Sequence, residues 1–162
     1  GAVHTLKAWV ARGDPMSAGS AFGMIAGALR HATGVRAREP PEEGRRKLYE
    51  RVSKRVPSSD QLRICEFLGE LLGTPFAEEG SVQLRAARHD PMLMGDQMRR
   101  AFEDYLAAEC RHQPLLIVLE DLHWGDLPSV SFIDSALRNL REEPLAKVWR
   151  RMLAGGSGIS MR

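Results

Sequence analysis

Two adjacent carboxylates follow a run of five consecutive apolar residues. The run is 115–119, Leu-Leu-Ile-Val-Leu, and Glu120 and Asp121 come directly after it. Such a short apolar run predicts a strand buried on both faces of a parallel sheet, and ligands bind at the edge where such strands end. Adjacent acids there need a compensating cation or hydrogen-bond donors. A magnesium ion that bridges nucleotide phosphates is the natural candidate, and the alternative is a plain solvated turn.

The rest of the sequence predicts the elements that must hold this strand end in place. Apolar residues recur at helical spacing in six segments, and capping residues or prolines bound most of them. The predicted strands are 6–10 and 115–119, and the predicted helices are 17–30, 45–56, 62–72, 81–88, 91–111 and 127–140. Helices before and after a buried strand favour an α/β sandwich.

Short polar residues and prolines mark several helix starts. Asp90 followed by Pro91 predicts the start of the long helix, and Asp126 predicts the cap of the last one. Ser17 or Ser20 is the expected cap of the first helix. The side chains expected to face inward are Met94, Met98, Ala101, Phe102, Tyr105 and Leu106 in the long helix, and Val130, Ile133, Leu137 and Leu140 in the last.

The helix predicted over 45–56 has one strongly basic face. Its cations are Arg45, Arg46, Lys47, Arg51, Lys54 and Arg55. The face is either simply solvated or a patch for phosphates or an acidic partner. No aromatic residue interleaves these charges, so base stacking by a single-stranded nucleic acid is not supported.

The composition is that of an ordinary globular protein, with 43% hydrophobic and 27% charged residues in a chain of 162. A net charge of +2 gives no sign of a dedicated nucleic-acid binder. The longest uncharged run, 15–29, is too short to cross a bilayer, so no membrane partner is expected. Cys65 and Cys110 are too few for a disulfide framework and fit core thiols of a cytoplasmic protein.

Three segments together carry a resemblance to a known family. The segment 115–126, Leu-Leu-Ile-Val-Leu-Glu-Asp-Leu-His-Trp-Gly-Asp, resembles the Walker B strand and following turn of AAA-like ATPase domains of the STAND class, the signal-transduction ATPases. The segments 12–20, Arg-Gly-Asp-Pro-Met-Ser-Ala-Gly-Ser, and 90–97, Asp-Pro-Met-Leu-Met-Gly-Asp-Gln, resemble a subset in which the ATPase follows a bacterial serine/threonine kinase domain and precedes helical repeats. The resemblance covers about residues 6–144.

The resemblance implies a role for each residue of the acidic segment. Glu120 takes the magnesium-side position, and Asp121 takes the position that polarises the attacking water. Asp126 is implied to be a helix cap, a group beside the site, or both, and His123 and Trp124 would lie beside the site. ATP and Mg²⁺ are the implied ligands of the complete protein, and the kinase and helical-repeat domains are its implied partners.

The sequence departs from the family pattern in two places. The phosphate-binding loop Gly-x-x-x-x-Gly-Lys-Ser/Thr does not occur in the 162 residues. The family would also continue from Pro144 into another buried strand, whereas Lys147, Arg150 and Arg151 interrupt this segment. We therefore expect a partial ATPase domain over 1–144 and a divergent, flexible tail over 145–162.

These departures predict an incomplete P-loop-type parallel sheet, helix-rich and flanked by helices. The resemblance implies that a P-loop strand lies next to the Walker B strand. Without it, one edge of the Walker B strand should be bare and the chain should be marginally stable. The predicted function is a piece of an ATP-binding regulatory module of a bacterial signalling protein, weak or inactive alone. The signature set of a protein kinase is absent. The alternative is a non-enzymatic helical protein-interaction module, which would use the basic helix and the Met-rich helix.

Overall fold

The computed structural model describes residues 5–153 and 156–161, with side chains described as far as residue 145. The chain divides into two compact units. One is discontinuous and contains the described residues up to Ala32 and from Glu109 onward, and the other is the continuous segment Thr33–Ala108. The chain is therefore a helix-rich α/β protein.

The discontinuous unit is built on a sheet of four strands. They are β1 (Lys7–Arg12), β2 (Leu115–Glu120), β3 (Leu145–Leu153) and β4 (Gly156–Met161), and this is also their spatial order. The first three run parallel and β4 is antiparallel to β3. On β2, one face is fully buried through Leu115, Ile117 and Leu119, whereas Leu116 and Val118 on the other face are only half-buried. The expectation of complete burial on both faces is therefore wrong.

Two helices and two short 3₁₀ turns connect the strands of this unit. The helices are α1 (Gly23–Thr33), whose last residue begins the other unit, and α6 (Leu127–Asn139). The 3₁₀ turns are Pro15–Ser17 after β1 and Leu122–Trp124 after β2. Both turns lie where a parallel strand ends, which is the edge that carries the acidic segment.

The continuous unit is entirely helical among its regular elements. Its helices are α2 (Pro41–Ser53), α3 (Ser58–Leu72), α4 (Val82–Arg88) and α5 (Pro91–His112), of which the last turn belongs to the other unit. Gly73 ends α3 in the left-handed conformation, and the Ser81 hydroxyl accepts a hydrogen bond from the Leu84 N–H at the start of α4. The apolar stripe of α5 lies in the core, where Met98, Phe102 and Tyr105 are buried.

Four helix predictions need correction. The helix α3 begins at Ser58 and not at residue 62. The first helix begins at Gly23 and not at residue 17, because Ser17 belongs to the 3₁₀ turn and the cap of α1 comes from elsewhere in the chain. The basic helix runs over Pro41–Ser53 and not over 45–56; its first residue is a proline, which has no N–H of its own to satisfy. In α6 the buried side chains are Ser129, Phe132, Ile133 and Ala136, whereas Val130, Leu137 and Leu140 are only half-buried.

Two expectations about the sheet are also wrong. Residues 145–153 form β3, in parallel register with β2, where a flexible tail was expected. As a result β2 has a strand on each side, so its edge is not bare and no further strand can lie directly beside it. Lys147 does not prevent pairing, because the hydrogen bonds between strands use backbone groups whatever the side chain.

No helix among the described residues is both long and apolar enough to span a membrane. Both cysteines are buried and free, as the sequence predicted. Burial raises the pKa of the Cys65 thiol to about 12 and that of Cys110 to about 11. The thiols are therefore poor nucleophiles in the folded chain.

Candidate functional site: the carboxyl ends of β1 and β2

The acidic residues lie where two parallel strands end side by side. Arg12 is the last residue of β1 and is the register partner of Glu120, the last residue of β2. The pairing continues one residue further, since the N–H of Gly13 donates to the Glu120 carbonyl at 2.9 Å. Backbone hydrogen bonds alone therefore hold the two strand ends side by side.

Glu120 forms an ion pair with Arg12 across the two strands. Its Oε2 accepts hydrogen bonds from Arg12 Nε at 2.9 Å and from Nη2 at 2.7 Å. The Glu120 side chain is only 7% exposed, whereas that of Arg12 is 64% exposed. The pKa of the guanidinium is raised above its ordinary value, chiefly by the hydrogen bond to Glu120 and then by that carboxylate's charge. A buried carboxylate is thus neutralised by a cation whose other side faces solvent.

Asp121 begins the turn that follows β2. Its backbone is left-handed, with φ 51° and ψ 46°, and its carbonyl accepts from the Trp124 N–H at 2.9 Å. Aspartate tolerates this conformation better than most residues because its short polar side chain can bond locally. The Asp121 side chain is half-buried. The chain reverses here, and the two acids therefore differ in burial although they are neighbours in sequence.

Gly13 allows the two strand ends to approach this closely. A Cβ at this position would lie 2.8 Å from both Gly125 N and the carbonyl carbon of Trp124, and closer still to the Asp121 carbonyl oxygen. All three are backbone atoms, which cannot rotate away as a flexible side chain can. The position therefore excludes any side chain.

Asp126 caps two helices at once. Its carboxylate accepts from the N–H of Ser129 at the start of α6, at 2.8 Å, and from the Ser129 hydroxyl, also at 2.8 Å. The same carboxylate accepts from the N–H groups of Phe22, at 2.8 Å, and Met24, at 3.1 Å, at the start of α1. Ser129 Oγ in turn accepts from the Ile25 N–H at 3.1 Å. Of the roles implied for Asp126, the structure shows the helix cap.

His123 and Trp124 lie on the turn directly after the acids. Their rings pair with each other, with centroids 5.2 Å apart and planes inclined by 50°. Both residues are exposed, Trp124 by 43%. The structure therefore brings Glu120, Asp121, His123 and Trp124 to one strand end, with Asp126 following as a helix cap.

The arrangement does not fit a magnesium ion at Glu120. Magnesium needs carboxylate oxygens at about 2.0–2.1 Å in near-octahedral geometry, and Oε2 of Glu120 already carries two N–H groups of a cation. Among residues 5–145, no group of three or more His, Cys, Asp or Glu side chains is placed to hold a metal ion. The metal-binding role predicted for Glu120 is therefore not compatible with this arrangement.

Sequence analysis missed three residues of this site. Arg12 and Gly13 were noted only as part of the resembling segment 12–20 and were given no role in the site, although Arg12 ends the strand that pairs with β2. Ser129 was not singled out, although it is fully buried and bonded to both helices. A signal existed for Arg12, since a cation at the end of one parallel strand is a suitable partner for an acid at the end of the next.

The continuous unit carries a separate feature, an open cleft of about 1240 Å³. One wall is a face of α2, and the other is formed by the loop 75–77 together with Arg88 and Glu70. Arg45 Nη1 donates to the Pro75 carbonyl at 2.9 Å, and Arg88 Nη2 donates to the Phe76 carbonyl at 2.7 Å. The lining residues are Glu42, Arg45, Arg46, Tyr49, Glu50, Ser53, Glu70, Pro75, Phe76, Ala77 and Arg88.

Comparison with protein-family models, with curated proteins and with solved structures found no match to this chain. The geometry of the strand ends and the cleft is therefore the basis for the functional argument that follows.

Proposed function

We propose that this chain is part of an ATP-binding regulatory module of the P-loop type, resembling the STAND class, in the cytoplasm of a bacterium. One observation carries the proposal: Glu120 and Asp121 stand at the carboxyl end of a parallel strand that has parallel neighbours on both sides. Ligands of open parallel sheets bind at this edge. In the proposal, the ATP-dependent step belongs to a longer protein that also holds the kinase and helical-repeat domains.

Within this proposal, Asp121 is the residue assigned to the attacking water. It is half-buried, whereas Glu120 is almost fully buried and already bound by Arg12. A carboxylate that orients a water molecule must be reached by solvent and held in position. The left-handed turn that begins at Asp121 supplies that position from the backbone.

The chain alone lacks the group that would bind the phosphates. No Gly-x-x-x-x-Gly-Lys-Ser/Thr loop occurs in the sequence, and in P-loop proteins this loop provides the N–H groups and lysine that hold them. Since β2 is already paired on both sides, a strand carrying such a loop would have to join the sheet elsewhere than beside β2. The proposed activity therefore belongs to a larger assembly.

The test begins with the DNA around the coding region. We expect an in-frame Gly-Lys-Ser/Thr loop upstream of residue 1. In the protein expressed from that full reading frame, Asp121→Asn should lower the ATP hydrolysis rate by about 100-fold or more, the usual effect of losing a general base. Asp104→Asn, which changes an exposed aspartate of α5, should leave the rate unchanged. The absence of any such loop, or hydrolysis by Asp121→Asn at the normal rate, would refute the proposal.

A second candidate function is a protein-interaction module, and the cleft beside α2 favours it. Tyr49 is 47% exposed on this cleft and is flanked by both acids and arginines. The methionines of α5 give this candidate less support, because Met98 is buried in the core and Met94 is half-buried, so that only Met92, 87% exposed, is open to a partner among the methionines of this helix. Tyr49→Ala should weaken binding of the kinase or helical-repeat domain, measured by calorimetry. Leu62→Ala removes an apolar side chain that is 58% exposed and does not line the cleft, and it should not weaken binding.

A further inference from the structure

Arg12 occupies the place at Glu120 that a metal ion would need. Two of its nitrogens donate to the same carboxylate oxygen, Oε2, at 2.7 and 2.9 Å. The charge of Asp121 also attracts the Arg12 guanidinium. Arg12 therefore neutralises Glu120 through two hydrogen bonds and is also attracted by Asp121.

We infer that Arg12 acts as a counter-ion that prevents divalent cations from binding at the acidic end of β2 in this chain. A second cation at Oε2 would lie within a few ångströms of the guanidinium and would be repelled by it, and this repulsion is strong where the dielectric constant is low. Glu120 is buried, whereas solvent on the exposed side of Arg12 weakens the repulsion. The inference rests on the proposed function only for the identity of the excluded ion.

The ion pair can be removed by substituting its exposed partner, Arg12. The Arg12 side chain is 64% exposed, so replacing it leaves no cavity in the core. The backbone of Arg12 stays paired with β2 whatever its side chain. Glu120 is the opposite case, because its burial means that any replacement perturbs the core. Variants of Arg12 are therefore the informative ones, and Glu120→Gln serves in combination with them.

The probe is Mn²⁺ alone, titrated into the 162-residue chain and followed by the electron paramagnetic resonance signal of the free ion. We expect no binding tighter than millimolar by the unaltered chain. Arg12→Gln should bind Mn²⁺ about tenfold more tightly or better, since a neighbouring cation changes the ion affinity of a carboxylate by that order. Arg12→Lys keeps the positive charge and should therefore bind Mn²⁺ no more tightly than the unaltered chain. The double variant Arg12→Gln/Glu120→Gln should lose the gain.

Arg111→Gln is the matched control. Arg111 is 65% exposed and pairs with the largely buried Glu143 at 3.2 Å, in the same unit of the chain. This variant removes the same charge from a similar pair and should not acquire Mn²⁺ affinity. Circular dichroism and thermal unfolding establish that each variant is folded.

Two results would overturn the inference. One is Mn²⁺ binding by the unaltered chain as tight as that of Arg12→Gln, which would leave the proposed ATPase function intact and even favour it. The other is a folded Arg12→Gln variant with no gain in affinity. Should Arg12→Gln not fold, the Mn²⁺ affinity of Arg12→Ala is compared with that of the unaltered chain instead, and the same two results would overturn the inference. Failure of the proposed function is recognised separately, by the rate of Asp121→Asn.

Discussion

Gly13 follows β1 and lies directly against the backbone of the turn that follows β2. Gly13→Ala should destabilise the chain by about 2 kcal/mol, because overpacking against backbone atoms costs about 1–3 kcal/mol and the added Cβ would meet the backbone of the 121–125 turn. The free energy of unfolding, measured by urea denaturation, tests this. Gly27→Ala is the matched control in α1: nothing lies within 4 Å of its added Cβ, and the change should stabilise the helix by about 0.5–1 kcal/mol. Equal effects of the two substitutions would contradict the role of Gly13.

Asp126 is the residue whose loss should affect two helices. Each lost N-cap costs about 0.5–2 kcal/mol, so Asp126→Ala should lower the free energy of unfolding by about 2–3 kcal/mol. Asp14→Ala is the comparison: its carboxylate accepts from the Met16 N–H in an exposed turn, and a change below about 1 kcal/mol is expected. An equally small loss for Asp126→Ala would mean that the second cap contributes nothing.

The hydrogen bonds of Asp126 could be predicted from the sequence only in part. Asp126 before Leu127-Pro128 is a recognisable cap, and the prediction is confirmed. Its bonds to Phe22 and Met24 could not be predicted, since those residues are more than 100 positions away. Phe22 also has a φ of 65°, an uncommon conformation for a phenylalanine that no local pattern signals. The same distance hid Arg12 as the partner of Glu120.

The helix α3 carries a buried carboxylate that should make stability depend on pH. Glu66 accepts a hydrogen bond from the Ser81 hydroxyl at 2.9 Å, but burial is the larger effect and raises its pKa above 4.5. The folded chain therefore binds this proton more tightly than the unfolded chain. The stabilising contribution is complete below pH 4.5 and is lost as the pH rises through the raised pKa.

Glu66→Gln removes this titration. The variant should gain stability relative to the unaltered chain as the pH rises from about 4 to about 7. Urea unfolding at a series of pH values in this range measures the difference. A difference that stays constant, or that shrinks with rising pH, would show that burial does not dominate at Glu66.

The start of α5, which has a strong local signal, was predicted well, whereas the start of α1, which depends on a distant group, was not. The helix α5 runs from Pro91 to His112, close to the expected 91–111, because Asp90 and Pro91 define its start locally. The helix α1 begins six residues later than expected, because its cap is a carboxylate from another part of the chain. In α6 the bonded Ser129 turns the buried face toward Phe132 and Ala136, which hydrophobic spacing alone did not indicate.

The whole chain should not bind Mg²⁺–ATP by itself. It has no phosphate-binding loop in its sequence, and Arg12 holds the acid that was expected to face magnesium. Calorimetric titration should therefore show no saturable binding up to about 1 mM nucleotide. Micromolar affinity would contradict this expectation and would require a phosphate site that the chain's motifs do not predict.

At the scale of the molecule, the α/β class followed from a single apolar run, and the strand order did not. A buried strand between helices indicates a parallel sheet, and β2 has parallel neighbours. The segment 145–153 was expected to be a tail because of its arginines and lysine, yet its backbone pairs with β2. Side-chain patterns predict burial, whereas strand pairing depends on backbone groups that all sequences share.

The double cap at Asp126 also sets an order of events during synthesis. A ribosome adds about 5–20 residues per second, so α1 leaves it roughly 5–20 s before Asp126, which lies 104 positions after Phe22. During that interval β1 likewise has no β2 to pair with, since their paired residues are 108 positions apart. The continuous helical unit, Thr33–Ala108, is completed in between and makes its contacts from neighbouring sequence. The segment β1–α1 therefore reaches its partners in β2 and Asp126 only after the helical unit between them has been synthesised.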